Sequence, residues 1–402
     1  MNILIMAGGI TMRTGMAHVP LHGGHCPPWL FEKMKQLSAV MIEAIVLEYG
    51  SAEVLRRLSD PVWFQAFGSV LGFDWHSSGL TTVLCGALKE GLHDRQKELG
   101  LFFAGGKGRA SRKTPEEIVR AGEKYGLSND LTHLQRTSRM VAKVDSAAVQ
   151  DGYQLYHHVF IFDRSGNWAV VQQGMNEKNR YARRYHWLSD TVKNFVKDPH
   201  HGICGEPTKD VLNLVSQHNE ATQLASVELC YENPKTVVNV LKSLTEEDAV
   251  SSTHPQQLSL FDTETFSVPD GITDTPVRVM TMPRNHPIPS PHYLNKILHQ
   301  LYERPLENYE SLLETKGVGP STLRALAMVA EVTHGVRPSF ADPVRYAFAH
   351  GGKDKFPFPI QRGALEHSLN VLRTAVENAK FGRQEKLAAL RRLSQQEEVV
   401  MG

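Results

Sequence analysis

Between about residues 246 and 291 of this 402-residue chain the apolar periodicity vanishes, and Pro, Ser, Thr and Asp take over. Such a stretch cannot bury enough apolar surface to order itself and predicts a flexible linker. The chain must therefore fold in separate bodies. Residues 12–245 read as one mixed α/β (or α+β) domain, a candidate catalytic domain centred on a β-hairpin. Residues 292–380 read as an all-helical domain and residues 381–402 as a charged helical tail. The length is ample for two or three domains with a sizeable core.

In the first body, helical periodicity marks residues 27–49, where Leu30, Met34, Leu37, Met41, Ile45 and Val46 share a stripe. A second helical stretch carries Val54, Leu58, Trp63 and Phe67, broken at Pro61, and residues 81–92 continue as a buried helix. Residues 115–125 and 129–142 predict two surface helices. Residues 153–163 are rich in aromatic and β-branched types, turn at Arg164-Ser165-Gly166-Asn167, and return over 168–173. A two-residue turn at Ser165-Gly166 predicts Phe160 opposite Val171 and His158 opposite Gln173. Helix is expected to resume near Asn176 and run to about Val196.

Chemistry-bearing residues crowd around that hairpin. The hard oxygen ligands Asp145, Asp151 and Glu177 suit Mg²⁺ or Mn²⁺, and a metal-dependent nuclease needs such carboxylates to activate water. His158 and Gln173 would line that site. Arg180, Arg183 and Arg184 stand at i, i+3 and i+4, so on a helix they would form one phosphate-holding face. The alternative is a solvated helix face with satisfied core histidines. Lys107, in Gly105-Gly106-Lys107-Gly108, belongs to an anion-friendly loop that is not a Walker A motif, because Gly108 stands where Ser or Thr should hold Mg²⁺. Asp74 and His76 precede an apolar helix and could complete the hairpin site, although Ser78 beside them reads first as a helix N-cap. His18, His22, His25 and Cys26 lie in a loop with no regular scaffold, a weak basis for a transition-metal site.

In the second body, Gly317-Val318-Gly319 lies between two leucines and a helix led by Pro320, Ser321 and Thr322. This is the signature of a helix-hairpin-helix. The glycines open backbone conformations and remove side chains that would hold a polyanion away. Val318 turns inward, Pro320 suits the first helical position, and free backbone N–H groups beside Lys316 suit phosphate. Contacts of this kind grip the sugar-phosphate backbone without reading sequence. An ordinary Gly-rich helical turn is the alternative.

Within the linker, Gln257-Leu258-Ser259-Leu260-Phe261 resembles the peptide by which bacterial repair and replication proteins dock on the sliding clamp. A flexible linker is where a peptide that folds only on binding belongs. Lys+Arg 44 against Asp+Glu 43 leaves the chain nearly neutral, so any polyanion site must be a local patch. Cys26, Cys85, Cys204 and Cys230 form no C-x-x-C pair, which fits a reducing, cytoplasmic setting. The apolar start, residues 1–7, is too short to span a bilayer and lacks the features of a signal peptide. Translation from Met12 is an equal expectation.

Several segments taken together resemble the domain-of-unknown-function 763 family: Pro20-Leu21-His22-Gly23-Gly24, Gly72-Phe73-Asp74-Trp75-His76, Gly105-Gly106-Lys107-Gly108, Gln150-Asp151-Gly152-Tyr153, Tyr181-Ala182-Arg183-Arg184-Tyr185-His186-Trp187 and Ala347-Phe348-Ala349-His350. The likeness runs from Met12 to about Lys380. It implies that this architecture comes as a unit, with residues 1–11 outside it, and brings no activity. A weaker resemblance links the Gly-Val-Gly hairpin and Asp342 to base-excision glycosylases, in which an Asp some twenty residues later assists glycosidic cleavage. Ser321 stands where the bifunctional members carry a lysine, and Asp342 before Pro343 also reads as a helix cap. The expectation is a DNA-binding protein of repair or replication with a metal-dependent nuclease domain; the alternatives are a non-catalytic adaptor recruited to the clamp and a glycosylase-like enzyme using Asp342.

Overall fold

The computed structural model describes residues 19–21, 25–73, 78–127, 131–209, 211–251, 290–344 and 373–377. Its helices are α1 (Pro28–Tyr49), α2 (Ser51–Ser59), α3 (Pro61–Val70), α4 (Gly79–Gly91), α5 (Gln96–Leu99), α6 (Arg109–Arg112), α7 (Thr114–Tyr125), α8 (Leu131–Lys143), α9 (Glu220–Glu228), α10 (Pro234–Ser251), α11 (Pro291–Tyr302), α12 (Tyr309–Glu314) and α13 (Pro320–His334). The strands are β1 (Leu101–Lys107), β2 (Val149–Gln150), β3 (Gln154–Asp163), β4 (Trp168–Asn176), β5 (Tyr181–Leu188), β6 (Gly202–Cys204) and β7 (Leu212–Asn213). Helix and antiparallel sheet together make the fold α+β.

The chain divides into two compact units. The first holds residues 1–146, 151–211 and 342–402. Its centre is a five-stranded antiparallel sheet in the order β1-β3-β4-β5-β6. One face carries Phe103, Val159, Ile161, Ala169, Val171 and Leu188 into a core shared with α1–α4. α1 and α4 approach closely, and a Cβ on Gly91 would fall 2.4 Å from the Lys35 carbonyl. Pro61, which ends the preceding helical stretch, starts α3 under a cap in which Asp60 Oδ1 accepts from Val62 and Trp63 N–H. The opposite face carries Phe160, Phe162, Trp168, Tyr185 and Trp187 against α7, α8 and the loops after β5. With both faces covered, strand positions of either parity are buried.

Two expectations fail here. Residues 181–188 form strand β5 rather than a helix, paired with β4 from Ala169↔Leu188 to Asn176↔Tyr181. The hairpin register is also shifted by one, Phe160 facing Val170 and His158 facing Gln172. The cause is a three-residue loop in place of a two-residue turn. Gly166 takes φ +85, and Asp163 Oδ1 accepts from the N–H groups of Ser165 and Asn167, closing the strand ends at Asp163 and Asn167.

The second unit holds residues 147–150 and 212–341. α10 packs with α11 and α9 with α13, and β2 pairs with β7 to form a small antiparallel sheet. The helical body therefore takes in α9 and α10 and carries a strand pair, unlike the all-helical body expected from residue 292. Arg324 donates from Nε and Nη2 to Gln150 Oε1 (2.9 and 2.6 Å), anchoring α13 on the strand pair. α12 begins with a capping box between Asn308 and Ser311. No helix among the described residues is long and apolar enough to cross a membrane.

Candidate functional site

Asp145 and Asp151 lie in separate buried networks, whereas Glu177 is exposed. Asp145, on the π-helical turn Val144–Ala148 that follows α8, is fully buried. Its Oδ2 accepts from Gln172 Nε2 (2.5 Å) and Trp187 Nε1 (3.0 Å), and its Oδ1 meets His200 Nε2 at 2.5 Å. Gln172 continues the chain, its Oε1 lying 2.6 Å from His158 Nδ1, and His158 Nε2 lies 2.9 Å from the Ser138 hydroxyl. Burial pulls His158 down to about 4, against the opposing influence of Gln172 and Asp145, so its imidazole is neutral near pH 7.

Asp151 belongs to a different set. Its Oδ2 accepts from Arg183 Nη1 (2.9 Å) and the Tyr185 hydroxyl (2.7 Å), and its Oδ1 from Tyr153 N–H (3.0 Å). Arg183, fully buried, also forks onto Asp342 at 3.1 and 2.7 Å and donates to the Glu206 carbonyl (2.6 Å). Burial alone would lower the Arg183 guanidinium, but Asp151 and Asp342 outweigh it and hold the group above its ordinary value. Asp342 further accepts from the N–H groups of Thr208 (2.6 Å) and Val344 (3.0 Å). These partners, Arg183 and the backbone N–H groups of Thr208 and Val344, tie Asp342 into the scaffold.

The opposite sheet face carries Lys107, His157, Gln173 and Arg184 in register across four strands. Arg184 is fully buried beside neutral groups: it donates to His186 Nε2 (2.8 Å) and Gln65 Oε1 (3.1 Å) and lies over the Phe64 ring at 4.6 Å. Arg183 and Arg184 thus point to opposite sides of the sheet, and the expected basic helical face does not exist. Gln173 accepts from the Thr81 hydroxyl and donates to the Ser78 carbonyl (2.8 Å) and Tyr156 hydroxyl (2.5 Å). It ties the start of α4 to Tyr156. Burial pulls His157 down to about 3, aided by His158 and Lys107, and neither ring nitrogen has a hydrogen-bond partner among the described residues.

Tyr156 and Lys107 open onto a cavity of about 920 Å³, lined also by Leu30, Phe73, Glu177 and Arg180. Lys107 closes strand β1, so the Gly-rich run is largely strand. Gly105 is required at φ +96, because a Cβ there would lie 2.2 Å from the His158 carbonyl.

The second unit has its own groove, about 530 Å³, lined by Tyr293, Lys296, Gln300, Arg304, Lys316 and Gly317. Gly317 takes φ +92, and the Tyr293 hydroxyl donates to its carbonyl at 2.8 Å. Lys296, Arg304 and Lys316 are exposed, and none has an ion-pair partner among the described residues. A Cβ on Gly319 would meet nothing within 4 Å. Val318 is buried as expected, and Pro320 opens α13. Thr322 is buried with its hydroxyl unpartnered among the described residues, so of the two hydroxyls only Ser321 stands near the surface.

Asp145, Asp151 and Glu177 do not converge, and no group of three or more His, Cys, Asp or Glu that could hold a metal ion occurs among the described residues. Asp74, His76, His22 and the peptide Gln257-Leu258-Ser259-Leu260-Phe261 lie outside the described residues. Sequence reasoning missed His200, Tyr156, Tyr293, Lys296 and Arg304. For Tyr293 and Lys296 a signal existed, since positions 293, 296 and 300 follow the spacing of one helical face, whereas Arg304 lies past the end of α11.

No curated protein and no solved structure matches the chain. A family model, "Protein of unknown function (DUF763)", matches residues 15–360. The chain belongs to that DUF763 family.

Proposed function

We propose that the protein binds DNA through the sugar-phosphate backbone, using its second unit, with α12, the turn at 315–319 and α13 acting as a helix-hairpin-helix. One observation carries this reading. Lys296, Arg304 and Lys316, all without ion-pair partners among the described residues, gather with the Gly317 backbone on one groove. Cations left unpaired beside a bare glycine turn suit a polyanion, whose phosphates release counterions on contact. The N-terminus of the fifteen-residue α13 adds the positive end of its dipole.

Among the described residues Asp145, Asp151 and Glu177 form no group that could hold a metal ion, so the proposal is confined to binding. Docking of Gln257–Phe261 on a sliding clamp stays part of the proposal on sequence grounds alone. The test is Gly319→Asn, which keeps a favoured N-cap residue and puts a side chain into open space. Duplex affinity, read by fluorescence anisotropy, should fall by roughly tenfold at unchanged thermal stability, about one charge-assisted contact. Unchanged affinity would remove the hairpin from the interface. Cutting that needs Mg²⁺ or Mn²⁺ would restore the nuclease reading.

A further inference from the structure

Several cations of the first unit pair with carboxylates, Arg57 with Glu53, Lys89 with Glu117, Arg95 with Glu43 and Arg183 with Asp151, and the buried Arg184 is engaged by His186 and Gln65. The 920 Å³ cavity breaks that pattern. Lys107, Arg180 and Glu177 all line it, all are exposed, and none has an ion-pair partner among the described residues. We propose that this cavity binds a nucleoside phosphate, with Lys107 and Arg180 on the phosphate and Glu177 on a hydroxyl or amino group.

Four features point to that ligand class. First, the volume lies at the upper end of ordinary small-molecule pockets, far larger than a bare phosphate needs. Second, the walls are divided. Leu30, Phe73 and Val83 offer an apolar surface for a flat ring, whereas Lys107 and Arg180 supply two positive charges. Third, Gly79, the first residue of the thirteen-residue α4, lines the same space and turns the positive end of that helix toward it. Fourth, Arg180 is held in the left-handed region at φ +61, one of two non-glycine residues so placed among those described. Its N–H donates to the Asn176 carbonyl (2.9 Å) and its carbonyl accepts from Leu21 N–H (2.8 Å). The backbone on both sides therefore enforces a conformation that is costly for arginine and fixes the stem of its side chain at the cavity. Tyr156 is braced by Gln173 through its hydroxyl, and Lys107 Nζ lies 6.0 Å from its ring centre, so the rim around the cation is ordered before any ligand arrives.

The same chemistry could arrive as a free nucleotide or as the phosphorylated end of a DNA strand, and the experiment separates the two. Full-length protein is titrated calorimetrically with dAMP, deoxyadenosine and inorganic phosphate. The expected result is one dAMP site, with deoxyadenosine and phosphate each weaker by about tenfold or more, since each lacks half of the recognised groups. Lys107→Ala and Arg180→Gly should each weaken dAMP by about tenfold, and the glycine variant, which relieves the φ strain, should melt no lower than the wild type. The strand-end source is tested by competing bound dAMP with 5′-phosphorylated and 5′-hydroxyl oligonucleotides in a Lys296→Ala/Lys316→Ala background. Competition by the phosphorylated strand alone assigns the end; competition by neither, with dAMP still bound, assigns the free nucleotide. If dAMP fails to saturate by about 10 mM, a limit set by the weakest useful affinity, and the phosphorylated strand does not bind this background, the proposal is overturned. Binding of dAMP that ignores both substitutions also overturns it. Loss of DNA binding by the second-unit groove would leave this result untouched.

Discussion

The buried charges of the sheet and the exposed charges of the two cavities obey opposite rules. Arg183 sits between Asp151 and Asp342 with almost every donor engaged, and Asp145 is enclosed by Gln172, Trp187 and His200. Lys107, Arg180 and Glu177 in one cavity, and Lys296, Arg304 and Lys316 in the other, have no ion-pair partner among the described residues. A buried charge must be compensated internally, because leaving it bare costs several kcal/mol of desolvation. An exposed charge on a concave surface carries no such demand and stays available to a ligand. Asp145 and Asp151 are held within the scaffold, whereas the proposed binding lies with exposed Lys107, Arg180, Lys296, Arg304 and Lys316 and with Glu177.

The comparison can be broken most severely at Asp151. Asp151→Ala leaves Arg183 short of a buried partner and should cost about 3–5 kcal/mol, read by urea unfolding. A loss under about 1 kcal/mol, within the range of exposed pairs, would mean that the network is not structural. Asp145→Asn keeps the shape but removes the charge facing His200, with an expected cost of about 1–3 kcal/mol.

Acid sharpens the same contrast. His158 and His157 are held down to about 4 and about 3 in the fold, against about 6.5 in an unfolded chain. Below pH 6.5 the unfolded chain takes up protons that the fold refuses, so stability is full above that pH and falls as pH drops toward 4. Each histidine should contribute a slope of about 1.4 kcal/mol per pH unit in that window. Denaturation midpoints at pH 7, 6, 5 and 4 measure it, and His158→Gln should flatten the curve. A stability that is constant from pH 7 to pH 4 would contradict the burial. At the small end, Lys107→Ala should change stability by less than about 0.5 kcal/mol, as expected of an exposed residue without an ion-pair partner among the described residues.

Much of the helical scaffold was legible. Apolar spacing and Pro61 locate α1–α4, and the β3–β4 hairpin announces itself through Phe160, Ile161, Phe162, Val170 and Val171. β5 was not legible, because Arg183 and Arg184 occupy consecutive strand positions and each is buried on its own face. Their partners lie far away in sequence: Asp151, Asp342 and Gln65. Without that tertiary compensation, two adjacent arginines read as a solvated helix. The hairpin register turned on a single backbone dihedral, the positive φ of Gly166, which residue type permits without dictating. Asp145 and Asp151 stand close in sequence yet enter different networks, since the π-helical turn and the β2 strand carry the chain between them. The groove at Gly317 was half legible. The tight turn shows in Gly317-Val318-Gly319 and Tyr293 and Lys296 share a face of α11, whereas Arg304 lies past the end of that helix and joins the groove only in the folded unit.

The most direct measurement is the salt dependence of duplex DNA binding by the wild type and by Lys296→Ala/Arg304→Ala/Lys316→Ala. The account predicts an affinity that falls steeply with salt, and a triple variant whose log–log slope is shallower by about 3, one counterion for each lost phosphate contact. Its melting temperature should match the wild type. A slope and affinity identical in the two proteins would contradict the account and place any DNA contact elsewhere on the molecule.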